Sequence, residues 1–209
     1  MTVFDASCRQ CKRLADFLDD VKQDYPDYFA APVPAFGAKK AKLLIVGLAP
    51  GMHGANRTGR PFTGDYAGVL LYETLYEFGF ANKSESVSAK DGLKLKNCRI
   101  TNAVKCLPPQ NKPTGAEINQ CNSFLAAELK TLSKDSVILA LGSIAHNSVL
   151  KALGMKLSSC KFAHNALHDL NNGLYLLDSY HCSRYNTQTK RLTEKMFKDV
   201  FQQAIDILG

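Results

Sequence analysis

Short apolar runs alternate with amphipathic segments along this chain. Four runs fit buried strands, at residues 42–47, 99–104, 136–141 and 173–178. Segments with apolar side chains at helical spacing lie around and between them, at 8–25, 68–78, 113–132, 144–153 and 192–208. Strands that alternate with helices are typical of a parallel sheet covered on both faces. We therefore predict one α/β domain over residues 1–209, a three-layer α/β/α sandwich with a central, mainly parallel four-stranded sheet.

Net charge and hydropathy limit the kinds of partner and the location that we expect for this chain. The chain has 26 Lys and Arg against 19 Asp and Glu, a formal net charge of +7, which favours a polyanionic partner such as nucleic acid. The apolar runs are too short to span a membrane, and the first residues do not have the pattern of a signal peptide. We therefore expect a cytoplasmic monomer with no membrane association. The sequence leaves a sliding clamp open as a further partner.

The turn after the first strand, residues 47–65, has the composition of a binding site. Its glycines allow backbone to approach a ligand closely, and open α/β sheets bind ligands where strands end. A structural turn does not need so many functional side chains in so short a stretch. Its polar candidates are His53, Asn56, Arg57, Arg60 and Asp65, and its one aromatic residue is Phe62.

A second polar loop follows the fourth strand, at residues 179–190. It contains His181 together with Ser183, Arg184 and Asn186, whose side chains are of types that contact phosphate. Because both loops follow strands of one parallel sheet, we expect them at the same edge.

The cysteines indicate metal ligands or free thiols, since disulfides are rare inside cells. Cys8 and Cys11 form a C-x2-C pair, whereas Cys106 and Cys121 are separated by 14 residues. This asymmetry does not fit two zinc knuckles. Spacing alone leaves three interpretations open, namely a zinc ion, a [4Fe–4S] cluster or unligated core cysteines.

Three motifs resemble those of the family-five (type b) uracil-DNA glycosylases, the iron–sulfur type found in bacteria and archaea. They are the turn 47–65, the segment 100–109 with its Cys106, and the loop 181–193, and they match in order and spacing over nearly the whole chain. Two positions depart from the pattern, because Cys182 stands where many relatives have Pro and Lys190 where Gly is frequent. The resemblance implies a monofunctional DNA glycosylase that hydrolyses the N-glycosidic bond of uracil and other deaminated or modified bases and leaves an abasic site.

The resemblance also implies roles for single residues. The catalytic candidates are Asp65, Asn111 and His181, and the base-binding candidates are Gly47, Ala49, Phe62 and Asn102. The expected DNA contacts are His53, Asn56, Arg57, Arg60, Ser183, Arg184 and Asn186. A structural [4Fe–4S] cluster is expected on Cys8, Cys11, Cys106 and Cys121.

Structural roles fit some of these side chains as well. Asp65 is also suited to cap a helix, Phe62 to pack in the core and Asn111 to form a turn. An alternative function is therefore a non-catalytic iron–sulfur or zinc protein that binds nucleic acid. An enzyme acting on free nucleotides is disfavoured, because neither G-x-x-x-x-G-K-[ST] nor G-x-G-x-x-G occurs in the turn.

Overall fold

A six-stranded mixed sheet forms the centre of the computed structural model, which describes residues 4–209. The strands are β1 (Phe36–Gly37), β2 (Leu43–Gly47), β3 (Cys98–Asn102), β4 (Ser136–Leu141), β5 (Leu167–Asp169) and β6 (Leu174–Ser179). Their order across the sheet is β1-β3-β2-β4-β6-β5. The four middle strands are parallel, and each edge strand is antiparallel to its neighbour.

The predicted number of four strands is therefore wrong, although the four predicted runs are the four middle strands. The two additional strands have only two and three residues. So short a strand carries no alternation of apolar and polar residues, and it forms because a neighbouring edge is available for pairing.

Helices cover both faces of the sheet. They are α1 (Lys12–Asp24), α2 (Ala55–Thr58), α3 (Tyr66–Glu77), α4 (Gly115–Leu129), α5 (Ser143–Ala152), α6 (Arg184–Gln188) and α7 (Glu194–Leu208). The predicted first helix begins four residues later than expected, so the C-x2-C pair precedes it. The short helices α2 and α6 lie inside segments that we predicted as loops. None of the described helices is long and apolar enough to cross a membrane.

The core has two layers, one on each face of the sheet. Leu43 and Ile45 of β2 point to the layer formed with α3 and α7, whereas Leu44 and Val46 point to the layer formed with α4 and α5. All five β2 residues are buried, as expected for a strand covered on both faces. This arrangement confirms the three-layer α/β/α class, and it places the carboxyl ends of β2, β3 and β6 at one open edge.

Candidate active site

A pocket of about 260 Å³ opens at the carboxyl edge of the sheet. Side chains and backbone from both predicted loops and from the end of β3 form it, as expected for ligand sites of open α/β sheets. Its lining residues are Leu48, Ala49, Gly51, Ala55, Phe62, Asp65, Ala67, Asn102, Asn111, His181 and Ser183.

Asn102 and Phe62 form a buried wall of the pocket, and Gly47 packs against both of them. Gly47 and Asn102 are partners in the pairing of β2 with β3. A Cβ atom on residue 47 would lie 2.5 Å from Asn102 Oδ1 and 2.7 Å from Phe62 Cζ. Asn102 is 3% exposed, and its Oδ1 has no hydrogen-bond partner among the described residues. A buried acceptor of this kind is normally satisfied, so it is available to a ligand that carries an N–H group.

The first testable consequence concerns Gly47. Gly47→Ala is expected to displace Asn102 or Phe62 and to slow the reaction at this pocket by on the order of a hundredfold, the cost of a misplacement of about 1 Å. Gly115→Ala is the matched control, because a Cβ there meets open space. Single-turnover kinetics of both variants, with circular dichroism to verify folding, measure the effect. Equal rates for the two variants would contradict this function of the wall.

Asp65 has two contacts with different consequences. Its Oδ1 accepts a 3.0 Å hydrogen bond from the Gly68 N–H and so caps α3. Its other oxygen lies against the backbone of Gly51 and Gly54, where a Cβ on residue 54 would clash with it. Burial raises the pKa of Asp65, and the N–H groups of Gly68 and Ala67 offset only part of that effect. Helix capping and a function in the pocket are therefore compatible.

His181 also lines the pocket. Its ring stacks on that of Phe62, with centroids 5.9 Å apart and an interplanar angle of 28°. Phe62 has a φ of 53°, which is uncommon for an aromatic residue and turns its ring to this position. Burial lowers the pKa of His181 to about 4, so its imidazole is neutral at physiological pH and still carries one N–H donor.

Comparison with known proteins places this pocket in a family. Residues 34–205 match the uracil DNA glycosylase superfamily. The type-5 uracil-DNA glycosylase of Thermus thermophilus is 45% identical over 208 residues, which cover 97% of this chain and 94% of that protein. The chain belongs to the type-5 uracil-DNA glycosylases. This result confirms the resemblance of the sequence motifs.

Less similar relatives of the chain are also uracil-DNA glycosylases. The type-5 enzyme of Pyrobaculum aerophilum is 39% identical over 95% of the chain and 88% of that protein. The type-4 uracil-DNA glycosylase of Archaeoglobus fulgidus is 28% identical over 93% of the chain and 86% of that protein. The crystal structure of Pedobacter heparinus SMUG2 has a TM-score of 0.52 and 15% identity, covering 81% of this chain and 76% of that one, and so supports the fold.

Some of the expected DNA contacts of this type-5 uracil-DNA glycosylase lie on its surface. His53, Arg57 and Arg184 are exposed, and Asn111 is exposed at the rim of the pocket. Arg184 stacks over the Tyr66 ring at 5.0 Å. Ser183 caps α6, and Asn186 donates a 2.8 Å hydrogen bond to the carbonyl of His181, so these two side chains shape the loop.

Arg60 and Asn56 are placed differently from the sequence-based expectation. Arg60 is 4% exposed, and its guanidinium is paired with Asp91 and hydrogen-bonded to Ser86 and Thr63. Although burial opposes ionisation, the Arg60 guanidinium and the N–H groups of Leu93, Ser88 and Val87 hold the pKa of Asp91 well below its usual value. Asn56 is fully buried. Both side chains therefore lie in the interior and not on the surface that a DNA contact requires, Arg60 because its guanidinium is paired with Asp91.

The four cysteines predicted as ligands line a second pocket, apart from the first. The backbone N–H of Lys105 donates to Cys121 Sγ at 3.3 Å. Burial raises the pKa of Cys106 to about 12 and also raises that of Cys121. Another group, which no sequence motif indicated, brings a ring nitrogen of His146, a ring nitrogen of His168 and a carboxylate oxygen of Asp178 within 4.8 Å of one another.

Proposed function

We propose that this chain is a monofunctional DNA glycosylase that removes uracil and other deaminated or modified bases from DNA. Membership of the type-5 family supports the activity. The observation that carries the proposal is the meeting of an amide, an aromatic ring, a carboxylate and a neutral imidazole in one pocket at the sheet edge. Such a pocket accepts a base that has been rotated out of the duplex.

Asn102 and Phe62 bind the base in this proposal. The free Oδ1 of Asn102 accepts from an N–H on the base edge, and its amide nitrogen is able to donate to a neighbouring oxygen. Phe62 supplies a surface on which the base stacks. A Cβ on residue 47 would displace these two side chains, and the small side chain of Ala49 lines the pocket and leaves space for the ring.

His181 and Asp65 promote cleavage of the N-glycosidic bond. Breaking the N-glycosidic bond leaves negative charge on the base and positive charge on the sugar. His181, as a neutral donor, stabilises the oxygen of the departing base, while the Asp65 carboxylate stabilises the sugar cation and orients water. Asn111 at the rim is the third catalytic candidate. None of the described pocket residues is a lysine, which supports hydrolysis over a lyase reaction through a Schiff base.

Leu48 and Ala49 determine which bases the pocket accepts. They are apolar at positions where other families have a carboxylate, so the pocket contains fewer groups that a different base would leave unpaired. We therefore include hypoxanthine, xanthine and ethenocytosine among the proposed substrates. Strict specificity for uracil would contradict this part of the proposal.

A uracil-containing duplex tests the activity. The protein is incubated with a labelled duplex that contains one uracil, or thymine as the control, and the products are resolved with and without alkali. Strand breakage of the uracil duplex only after alkali is the expected result. Breakage without alkali would indicate a lyase, and no breakage would favour the non-catalytic nucleic-acid-binding alternative.

A structural [4Fe–4S] cluster on Cys8, Cys11, Cys106 and Cys121 is the second part of the proposal. The four cysteines line one pocket, and four thiolates are the ligand set that a cubane cluster requires. The cluster would join the start of α1 to α4 and to the segment after β3, and base hydrolysis requires no electron from it.

Cys106→Ser is expected to remove the brown colour and much of the folded protein together. Iron analysis of the wild type should give about four irons per chain, as a cubane cluster contains. Cys160→Ser is the control, since Cys160 lies outside the set. A colourless wild-type protein that contains zinc and retains full activity would exclude the cluster.

Contact with phosphate is proposed for the surface around His53, Arg57 and Arg184. We expect Arg184→Ala to weaken binding to damaged and undamaged duplexes equally and to reduce the slope of log K against log salt by about 0.9. Lys134→Ala removes the same charge beside the amino end of β4, at the opposite edge of the sheet, and should leave binding unchanged. Fluorescence anisotropy over a salt series measures both. Affinity that does not depend on salt would contradict the proposed contact.

A further inference from the structure

A cluster of ionisable side chains outside the pocket has no part in the chemistry above. It joins His146 of α5, His168 of β5 and Asp178 of β6. Asp178 is fully buried, and His146 is 1% exposed. One carboxylate oxygen of Asp178 lies 2.8 Å from His146 Nδ1, and the other lies 3.2 Å from His168 Nε2.

Both ring nitrogens of His146 face acceptors. Nε2 lies 3.1 Å from the carbonyl oxygen of Cys160, which only accepts, so Nε2 carries a proton. In a neutral ring, Nδ1 would then present its lone pair to the carboxylate of Asp178 at 2.8 Å. Two acceptors do not approach this closely without a proton or a metal ion between them.

The distance favours a proton. A nitrogen and an oxygen bound to one zinc ion lie about 3.3 Å apart, given bonds of 2.0–2.1 Å and tetrahedral geometry. A separation of 2.8 Å is typical of a charge-assisted N–H···O hydrogen bond.

We propose that His146 is a buried imidazolium at neutral pH and that its pair with Asp178 positions His181, three residues further along the chain. The positioning role rests on the proposed function of His181. The buried charges are compensated, because the imidazolium donates two hydrogen bonds and the carboxylate accepts from two rings. Burial alone would lower the pKa of His146, but the hydrogen bond and charge of Asp178 and the carbonyl of Cys160 raise it above its usual value.

Backbone contacts connect this pair to the pocket through α5. The His146 N–H donates to the carbonyl of Gly142, whose own N–H donates to Ser179 at the end of β6. A Cβ on residue 142 would lie 3.8 Å from the His181 Cβ, so the first turn of α5 is packed beside His181. A shift of α5 against β6 would therefore move the end of the strand from which His181 projects.

The segment between α5 and β5 holds β6 from its other side. The Tyr180 N–H donates to His164 Nδ1 at 3.2 Å, and the two rings stack. The Asn165 N–H donates to the carbonyl of Asp178 at 2.8 Å. The pair of His146 and Asp178 lies between these contacts and those of α5. It therefore holds α5 and the segment between α5 and β5 against β6.

The direction of the pH effect follows from the surroundings. The charged or titratable groups around His146 are Asp178 on β6, His168 on β5, and Cys160 and His164 in the connecting segment, with Arg191 stacked over Tyr180 beside them. Because its partner is a carboxylate, His146 gains stability when charged. That contribution is complete below the ordinary histidine pKa of 6.5 and is lost as the pH rises through the raised pKa of His146 in the folded chain.

Nitrogen NMR of the full chain, with ¹⁵N-labelled histidine, tests the charge. The chain has five histidines, so each signal is assignable by substitution. At pH 7 we expect the His146 ring to have both nitrogens protonated, a signal that is absent in His146→Gln, while His181 is neutral. A neutral tautomer at His146, or one zinc per chain that is lost in His146→Gln, would overturn the proposal. This measurement requires no DNA, so it stands even if the wild type excises no base.

Kinetics test the positioning role. His146→Gln keeps a donor to Asp178 without the charge, and we expect a roughly tenfold slower single-turnover excision, with duplex affinity unchanged, since a small displacement of His181 affects the chemical step. The loss of wild-type rate at alkaline pH should be absent from this variant. His168→Ala, at the partly exposed edge, is the milder second variant and should reduce the rate less. An unchanged rate and pH profile in both variants would refute positioning.

Discussion

Asp65→Asn is expected to lower the single-turnover excision rate on every substrate by a similar factor, on the order of a hundredfold or more. The substitution removes the negative charge but keeps an oxygen that is able to cap α3, since Asn and Asp are nearly equal at helix N-caps. Stabilisation of the sugar cation and orientation of water are common to all bases. The measurement is single-turnover kinetics on uracil, hypoxanthine and xanthine duplexes.

Two controls separate the charge of Asp65 from its helix cap. Thr193→Ala removes a cap from α7, where Thr193 accepts from the Met196 N–H, and should cost about 1 kcal/mol of stability with no effect on excision. Asp65→Ala should show the stability loss and the rate loss together. A fall in rate for Asp65→Asn no larger than that for Thr193→Ala would limit Asp65 to helix capping.

Asn102 provides the contrasting pattern. If its amide reads the base edge, Asn102→Ala should change the ranking among bases, because each base offers different donors and acceptors to the pocket. A uniform loss across bases for Asn102→Ala, combined with a selective loss for Asp65→Asn, would reverse the two assigned roles. The same three duplexes measured for Asp65 distinguish these outcomes.

The strands that the sequence predicted correctly are those whose pattern is local. The run from Leu43 to Gly47 is apolar throughout because β2 is buried on both faces, so its identity is visible without tertiary information. β1 and β5 depend on pairing with β3 and β6. Nothing within two or three residues indicates a strand, and the two edges of the sheet were therefore missed.

Local sequence patterns likewise predicted only part of the candidate active site. Asp65, Asn102 and His181 were located by motifs and by the rule that parallel strands end at one edge, and all three line the pocket. Arg60 belongs to the same turn and has the same charge as Arg57, yet it is buried against Asp91, 31 residues further along the chain. Exposure of an arginine depends on such distant partners, and the cluster of His146, His168 and Asp178 also arises from three separated segments.

His181→Ala is expected to slow excision by about a hundredfold while weakening duplex binding much less, because the lost hydrogen bond strengthens as the base becomes anionic. His53→Ala is the matched control, since it removes an exposed imidazole that is hydrogen-bonded to Tyr28 outside the pocket. At saturating enzyme its single-turnover rate should be close to that of the wild type. If His53→Ala slowed excision as much as His181→Ala does, we would assign His181 only a structural role.

The pH dependence of His181 gives an independent check. Its folded pKa of about 4 lies below the usual value of 6.5, so the unfolded chain binds the extra proton first as the pH falls. The stability that this residue contributes is therefore complete above pH 6.5 and declines towards pH 4, a decline that His181→Gln should lack. Because the ring stays neutral between pH 5 and 8, its removal should leave the shape of the rate profile in that range unchanged. A wild-type rate that falls as the pH rises through about 6.5, with that fall absent from His181→Ala, would mean that His181 reacts as a cation, which excludes the neutral donor proposed for the departing base.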